Sequence, residues 1–206
     1  MTRKIQVHQV DAFTREPFTG NPTGVVLNAD PLSEAQMLAI ARELNNAETA
    51  FILSPDGDDH TVRARFFTPR SEAGFVGHAT VAAQYVLSRR HDAPRWQRQK
   101  SKAGIVDVEV RGSDDDRRIA IRRSPPALGI AEDPVSGNAH GLLGAYLARL
   151  GLLARDGERA RFCGIQGHSL HRPGRVEVEL EFVGANLAGV WISGQAVSIF
   201  QTEIEF

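Results

Sequence analysis

The chain carries one cysteine, Cys163, among 206 residues. That excludes an intramolecular disulfide and any cysteine-rich metal centre. Charge of one sign is also lacking. The net charge is -1 and the pI about 6.7, with Lys and Arg spread along the chain, so no basic stripe points to nucleic acid. Long apolar runs are missing too. No stretch approaches membrane-spanning length, and the opening Met1-Thr2-Arg3-Lys4-Ile5-Gln6-Val7 holds no apolar segment of the secretory kind. The expectation from these absences is a soluble, cytoplasmic protein with neither membrane nor nucleic acid as partner. The length allows one large domain or two small ones, with ample core.

What is present is a repeated phrase. Gly77-His78-Ala79-Thr80 opens the apolar run Val81-Ala82-Ala83-Gln84-Tyr85-Val86-Leu87, and Gly137-Asn138-Ala139-His140 opens Gly141-Leu142-Leu143-Gly144-Ala145-Tyr146-Leu147. Each follows a loop with acidic residues, Glu72 in one case and Glu132-Asp133 in the other. A helix N-terminus has unpaired N–H groups and the positive end of a dipole, so it attracts anions. Glycine there lets a ligand come close to the backbone. Two such starts in pseudo-symmetric halves suggest one cleft for a small carboxylate-bearing molecule. A single one would be only a helix start.

Around these helices the pattern is of many short strands. Ile5 to Phe13, Val25-Val26-Leu27, Thr49 to Leu53 and Val62 to Phe67 read as strands, as do Ile105 to Val110, Ile119 to Ile121 and the stretch about Phe162. Val176 to Phe182, Val190 to Ile192 and Val197 to Ile204 complete them. Ser33 and Gln36 form a capping box for a helix with Met37, Ile40, Ala41 and Leu44 as its apolar stripe. Helices are expected over 77–90 and 137–150. Ser124-Pro125-Pro126 reads as a linker and Asp114-Asp115-Asp116 as a solvated hairpin turn. Strands and helices do not alternate regularly, so the fold class is α+β. Helix 137–150 has almost no polar face, which predicts burial on most sides.

Six phrases in order carry a family resemblance. They are Asp11-Ala12-Phe13, Gly20-Asn21-Pro22, Asn46-Ala47-Glu48-Thr49-Ala50-Phe51, Phe67-Thr68-Pro69, Gly77-His78-Ala79-Thr80 and Glu132-Asp133-Pro134-Val135-Ser136-Gly137-Asn138-Ala139. Together, over residues 5–122 and 131–206, the chain resembles the phenazine biosynthesis PhzF family, within the diaminopimelate epimerase-like fold. The resemblance implies two barrel-like lobes, each around a central helix. Residues 1–122 with the last strands, about 190–206, would form the first lobe, and 127–189 the second. It implies a homodimer and a cofactor-free isomerase that moves a proton on a small carboxylic acid. Glu48 matches the family's glutamate acid/base, and His78 and Asp133 match its polar partners in the cleft. Gly77, Ala79, Gly137 and Asn138 fall at the substrate-binding helix starts. In one respect the chain departs from the family. Only Arg123 to Ala131 stands where family members carry several tens of residues, so the second lobe lacks its opening strands. Its apolar helix is left partly uncovered unless another subunit covers it.

The residue types narrow the chemistry. Epimerase relatives use two cysteines, but Val76 and Ser136 stand before the two glycines here, so a two-thiol racemase is excluded. A carboxylate remains. Glu48, next to Ala47, Ala50 and Phe51, is expected to have a pKa raised by desolvation, as suits a proton shuttle. Its local alternative is an exposed turn glutamate. His78 either relays a proton or caps and packs, and Asp133 either orients Glu48 or a substrate amine, or caps its helix. His140 reads as structural. His168 and His171 have no third ligand at metal-like spacing. Arg70 reads as a solvated arginine, and the segment Arg172-Pro173-Gly174 as a structural corner. The rival to an isomerase is a shortened, inactive paralogue that binds a small molecule or serves a structural role. A further alternative is a deletion product that folds only as an intertwined dimer.

Overall fold

The computed structural model describes residues 4–123 and 135–205. Its strands and helices, in chain order, are β1 (Lys4–Ala12), β2 (Asn21–Val26), α1 (Glu34–Leu44), β3 (Thr49–Leu53), β4 (Val62–Phe67), β5 (Glu72–Ala73) and α2 (Gly77–Ser88). They continue with β6 (Trp96–Ser101), β7 (Gly104–Arg111), β8 (Arg118–Arg123), α3 (Gly137–Arg149), β9 (Arg155–Asp156), β10 (Arg159–Gln166), β11 (Gly174–Val183), β12 (Asn186–Gly194) and β13 (Ala196–Glu205). The linker expected at Ser124-Pro125-Pro126 lies outside the described residues.

All the strands join one sheet. Its order is β13-β1-β2-β3-β4-β6-β7-β8-β12-β11-β10-β9, with β5 paired to β4. The pairs β2/β3 and β4/β6 are parallel and the others antiparallel. This is a mixed, sheet-dominated structure with three helices among the described residues.

Helix α2 lies inside the curl of the sheet, against β1, β2, β3, β7, β8 and β13. All its residues except Gly77 and Tyr85 are buried, as its apolar composition requires. Helix α1 packs on the far side of β3 and β4, where Met37, Ile40 and Ala41 meet Phe51 and Phe67. Ser33 and Gln36 make both bonds of the expected capping box.

Helix α3 departs from the burial that its composition alone predicts, and is partly uncovered, as the short segment before it led one to expect. It packs on β10, β11 and β12, and the residues it buries there form a narrow face, Gly137, His140, Gly141 and Gly144, with Ala148 partly buried against the same core. A Cβ on Gly144 would stand 2.8 Å from the Phe162 ring, so the helix rests directly on the sheet. Leu143 and Tyr146 point outward, 44% and 60% exposed. The expected burial on most sides is therefore corrected. Among the described residues, strands cover this helix on one side, and the close approach selects its glycines rather than its leucines.

Strand β6 has no counterpart in the strands read from the sequence. Its inward positions are the buried Gln97 and Gln99, so apolar alternation gives no signal there.

Candidate functional site

The turn after α1 delivers Glu48. Asn45 takes a left-handed conformation with φ 51° and ends the helix, a conformation that a short polar side chain tolerates. Asn46 and Gln9 exchange both amide bonds, at 2.9 and 3.0 Å. The Thr23 hydroxyl donates to the Glu48 carbonyl at 2.7 Å, one residue before β2 and β3 pair at Gly24 and Thr49. The backbone of Glu48 is thus tied to β1 and β2, while its carboxylate stays 20% exposed.

That carboxylate meets the first turn of α2. His78 Nε2 lies 3.3 Å from Glu48 Oε2, and the imidazole is buried. Burial pushes the His78 pKa down to about 3, because an imidazolium loses its hydration there. Near neutral pH the ring is uncharged, so it lies beside Glu48 without neutralising it.

The start of α3 converges on the same place. A Cβ on Gly77 would stand 3.6 Å from Asn138 Oδ1, so the two helix N-termini adjoin. Ser136 caps α3 by accepting from the Ala139 N–H at 3.3 Å, and its own N–H donates to Gln166 Oε1 at 3.0 Å. Asn21 Nδ2 donates to the Val135 carbonyl at 3.1 Å, which ties β2 to this helix start. Gly137 rests on Phe13 and Ile192, where a Cβ would come within 3.0 Å of both. Phe13 holds a φ of 63°, uncommon for an aromatic residue, with its ring wedged at Gly137 and Gly194.

Of the residues expected at the site, the structure brings together Glu48, His78, Gly77 and Asn138, with Gly137 beginning the second helix. The Ala79 side chain is fully buried in the core, so any contact it makes with a ligand falls to its backbone N–H. Asp133 lies outside the described residues. Thr23, Gln9 and Asn46 position Glu48; Asn46 opens the phrase that holds Glu48, but the sequence assigns none of the three a role. Their signal was the Asn-Pro-Thr turn and the paired asparagines before Glu48. No three His, Cys, Asp or Glu side chains converge as a metal site among the described residues.

A cavity of about 670 Å3 lies elsewhere, lined in part by Phe13, Arg118, Cys163, Ile165 and Arg175. Cys163 and Ile165 alternate along β10 with Phe162 and Gly164, which touch α3, so this cavity opens on the other face of the strand. No helix among the described residues is long and apolar enough to cross a membrane.

Comparison with known proteins gives the family. The model of the family described as phenazine biosynthesis-like protein (PhzC-PhzF) matches residues 10–127 and, in a second overlapping match, 108–202. A protein of Clostridium acetobutylicum named an uncharacterized isomerase is 31% identical, covering 99% of each chain. That alignment spans 299 positions, more than this chain's 206 residues, so the relative carries residues without counterpart here. Among solved structures, the PhzF-family phenazine biosynthesis protein of Bacillus anthracis superposes with a TM-score of 0.84 at 24% identity, covering 98% of this chain and 99% of that one. A hydroxyproline epimerase of Agrobacterium vitis, with bound trans-4-hydroxy-L-proline, shares the fold at a TM-score of 0.66 and 11% identity, over 99% of this chain and 93% of that one. By the model match over most of its length and the 31% identical relative named an isomerase, the chain belongs to the phenazine biosynthesis-like PhzF family, a family of isomerase-type enzymes.

Proposed function

We propose that the chain catalyses a cofactor-independent proton transfer on a small carboxylic acid. Glu48 takes a proton from a carbon made acidic by an adjacent unsaturated or carboxyl group and returns it elsewhere on the same molecule. One proton leaves and one returns, so the step needs neither oxidant nor reductant. The observation that carries this reading is the 3.3 Å contact of Glu48 with a buried His78 at a helix start that adjoins a second one.

The parts have distinct work. The uncharged His78 brings no positive charge beside Glu48 that would lower its basicity. The first-turn N–H groups at Gly77, Ala79, Gly137 and Asn138 hold the substrate carboxylate and receive the charge that develops when the proton leaves. Asp133 matches a polar partner in the cleft by the family resemblance, and in this reading it orients Glu48 or a substrate amine. The same reading takes the chain as two lobes, 1–122 with 190–206 and a shortened 127–189, forming a homodimer in the cytoplasm.

The test is deuterium uptake. Trans-4-hydroxy-L-proline, the ligand of the structurally similar epimerase, and a set of unsaturated and amino carboxylic acids are incubated with the protein in D2O and followed by NMR. Solvent deuterium is expected in one acid with the wild type and none with Glu48→Gln, which still binds that acid. Equal uptake by both proteins would sink the role of Glu48.

The exposed apolar face of α3, with the residues that the Clostridium relative has and this chain lacks, favours a second reading. In it the chain is an inactive paralogue that binds a small molecule. Binding of an acid with no exchange in the wild type would decide for it.

A further inference from the structure

The two helix starts are built alike beyond their matching letters. At α2 the carbonyl of Val76, the N-cap, accepts from Thr80 twice, from its N–H at 3.0 Å and its hydroxyl at 2.9 Å. At α3 the carbonyl of Ser136, again the N-cap, accepts from the His140 N–H at 3.3 Å and is met by His140 Nδ1 at 2.7 Å. A carbonyl only accepts, so Nδ1 carries the proton. Thr80 and His140 are both buried, and each is the fourth residue of its Gly-x-Ala-x phrase.

Each anchor packs against a strand that follows its helix. Gln99 of β6 donates to Thr80 Oγ1 at 3.1 Å, and Gln84 donates to Gln99 at 2.8 Å. In β10 it is Gly164 that makes room, since a Cβ there would overlap the His140 ring.

Side-chain bonds to the carbonyl four residues back slightly destabilise a helix, and buried polar groups need partners at some cost. Two such anchors at matching places therefore call for a reason other than stability. Peptide planarity supplies it. The Val76 carbonyl and the Gly77 N–H belong to one flat trans unit and point in opposite directions. Two donors on that oxygen fix where the N–H points, and a first-turn N–H has no partner within its helix. The Ser136–Gly137 unit is held in the same way.

We infer that Thr80 and His140 are a matched pair of positioning residues, which aim the N–H groups of Gly77 and Gly137 at the substrate carboxylate. Neither touches substrate. The inference rests on the proposed function for the identity of the ligand, while the anchoring itself is measurable without one.

Thr80→Val removes the hydroxyl at nearly constant shape, and Thr80→Ser keeps it. His140→Leu removes the ring donor, and His140→Asn keeps an N–H donor near the same place. Residual dipolar couplings of the Gly77 and Gly137 amides read N–H orientation in the ligand-free protein. Titration with trans-4-hydroxy-L-proline, or with the acid found by deuterium uptake, reads affinity. Thr80→Val is expected to shift the Gly77 coupling alone and His140→Leu the Gly137 coupling alone. Each should weaken binding about tenfold, the worth of one good hydrogen bond. The Ser and Asn variants should restore couplings and affinity together. Unchanged couplings in Thr80→Val and His140→Leu would overturn the inference, and either variant alone decides if the other does not fold. Shifted couplings in a protein that binds no carboxylate would uphold the anchors and overturn the carboxylate reading.

Discussion

Arg172 donates through Nη2 to Oδ1 of Asp11 at 2.7 Å, across 161 residues of chain. The other Asp11 oxygen accepts from the Phe18 N–H at 2.8 Å. Arg172 also donates to the carbonyls of Gly20 and Thr19, at 3.0 and 3.2 Å. Three of the chain's short phrases, around Asp11, Gly20 and Arg172, therefore meet at one half-buried junction between β1, β2 and the start of β11, with the Asp11 carboxylate at its buried end. The structural corner expected at Arg172 is a charge clamp.

Breaking that clamp on one side should be costly. Burial raises the Asp11 pKa, and the Arg172 guanidinium pulls it back down. Arg172→Met leaves the carboxylate buried without its partner, a loss of about 3–5 kcal/mol. An acid whose folded pKa is raised stabilises the fold below its unfolded pKa and loses that contribution as pH rises through the folded value. Removing Arg172 raises it further, so the loss should be larger at pH 7 than at pH 4 in urea denaturation. Equal losses at both pH values would contradict the assignment.

His78 sets an opposite pH dependence. Its folded pKa of about 3 lies below the ordinary 6.5, so its contribution is complete above pH 6.5 and is lost as pH falls toward 3. The slope is roughly 1.4 kcal/mol per pH unit within that window. His8, whose pKa burial also lowers, acts in the same direction, so the measurement is a difference. Wild type and His78→Gln compared between pH 7 and pH 5 should show a shallower fall in the variant. Parallel curves would mean that the ring takes up its proton as readily in the fold as in the unfolded chain.

The buried amides of β6 give a third prediction. Gln99→Leu leaves the Gln84 amide without its 2.8 Å partner and removes the donor to Thr80. The expected cost is about 1–3 kcal/mol, because an orphaned buried amide loses its hydration with nothing in exchange. Adding Gln84→Leu should recover part of it, since the orphan is then gone. A double variant less stable than the single one would show that volume, not pairing, governs this part of the core.

On α3 the glycines should matter more than the leucines. Gly144→Leu drives a side chain into Phe162 and Val178, an overpacking cost of about 1–3 kcal/mol. Tyr146→Gln, at a 60% exposed site, should stay within about 0.5 kcal/mol. Thermal unfolding of the two variants compares them directly, and the reverse order would show that the outer face is covered in solution.

Local chemistry was legible in the sequence where it is satisfied locally. The Ser33–Gln36 box closes within one helical turn, and α2 and α3 begin at the glycines of the repeated phrase. The order of short phrases carried the family, because each sits at a turn or helix start whose backbone constrains residue type. The sequence by itself therefore determined the helix starts, most strands and the identity of Glu48 and His78 as candidates.

Only the tertiary structure decided the rest. Glu48 and His78 are thirty positions apart in the numbering, and β2/β3 pairing with the Thr23 bond brings them together. Strand β6 is invisible to apolar periodicity because its inward residues are the amides Gln97 and Gln99, and Gln99 finds its partner in Gln84 on the preceding helix. The buried face of α3 depends on which side the sheet covers, and the close approach there rewards absent side chains. A helix records its apolar residues in sequence, but which of them lose water is set by the surfaces that the rest of the chain brings against it.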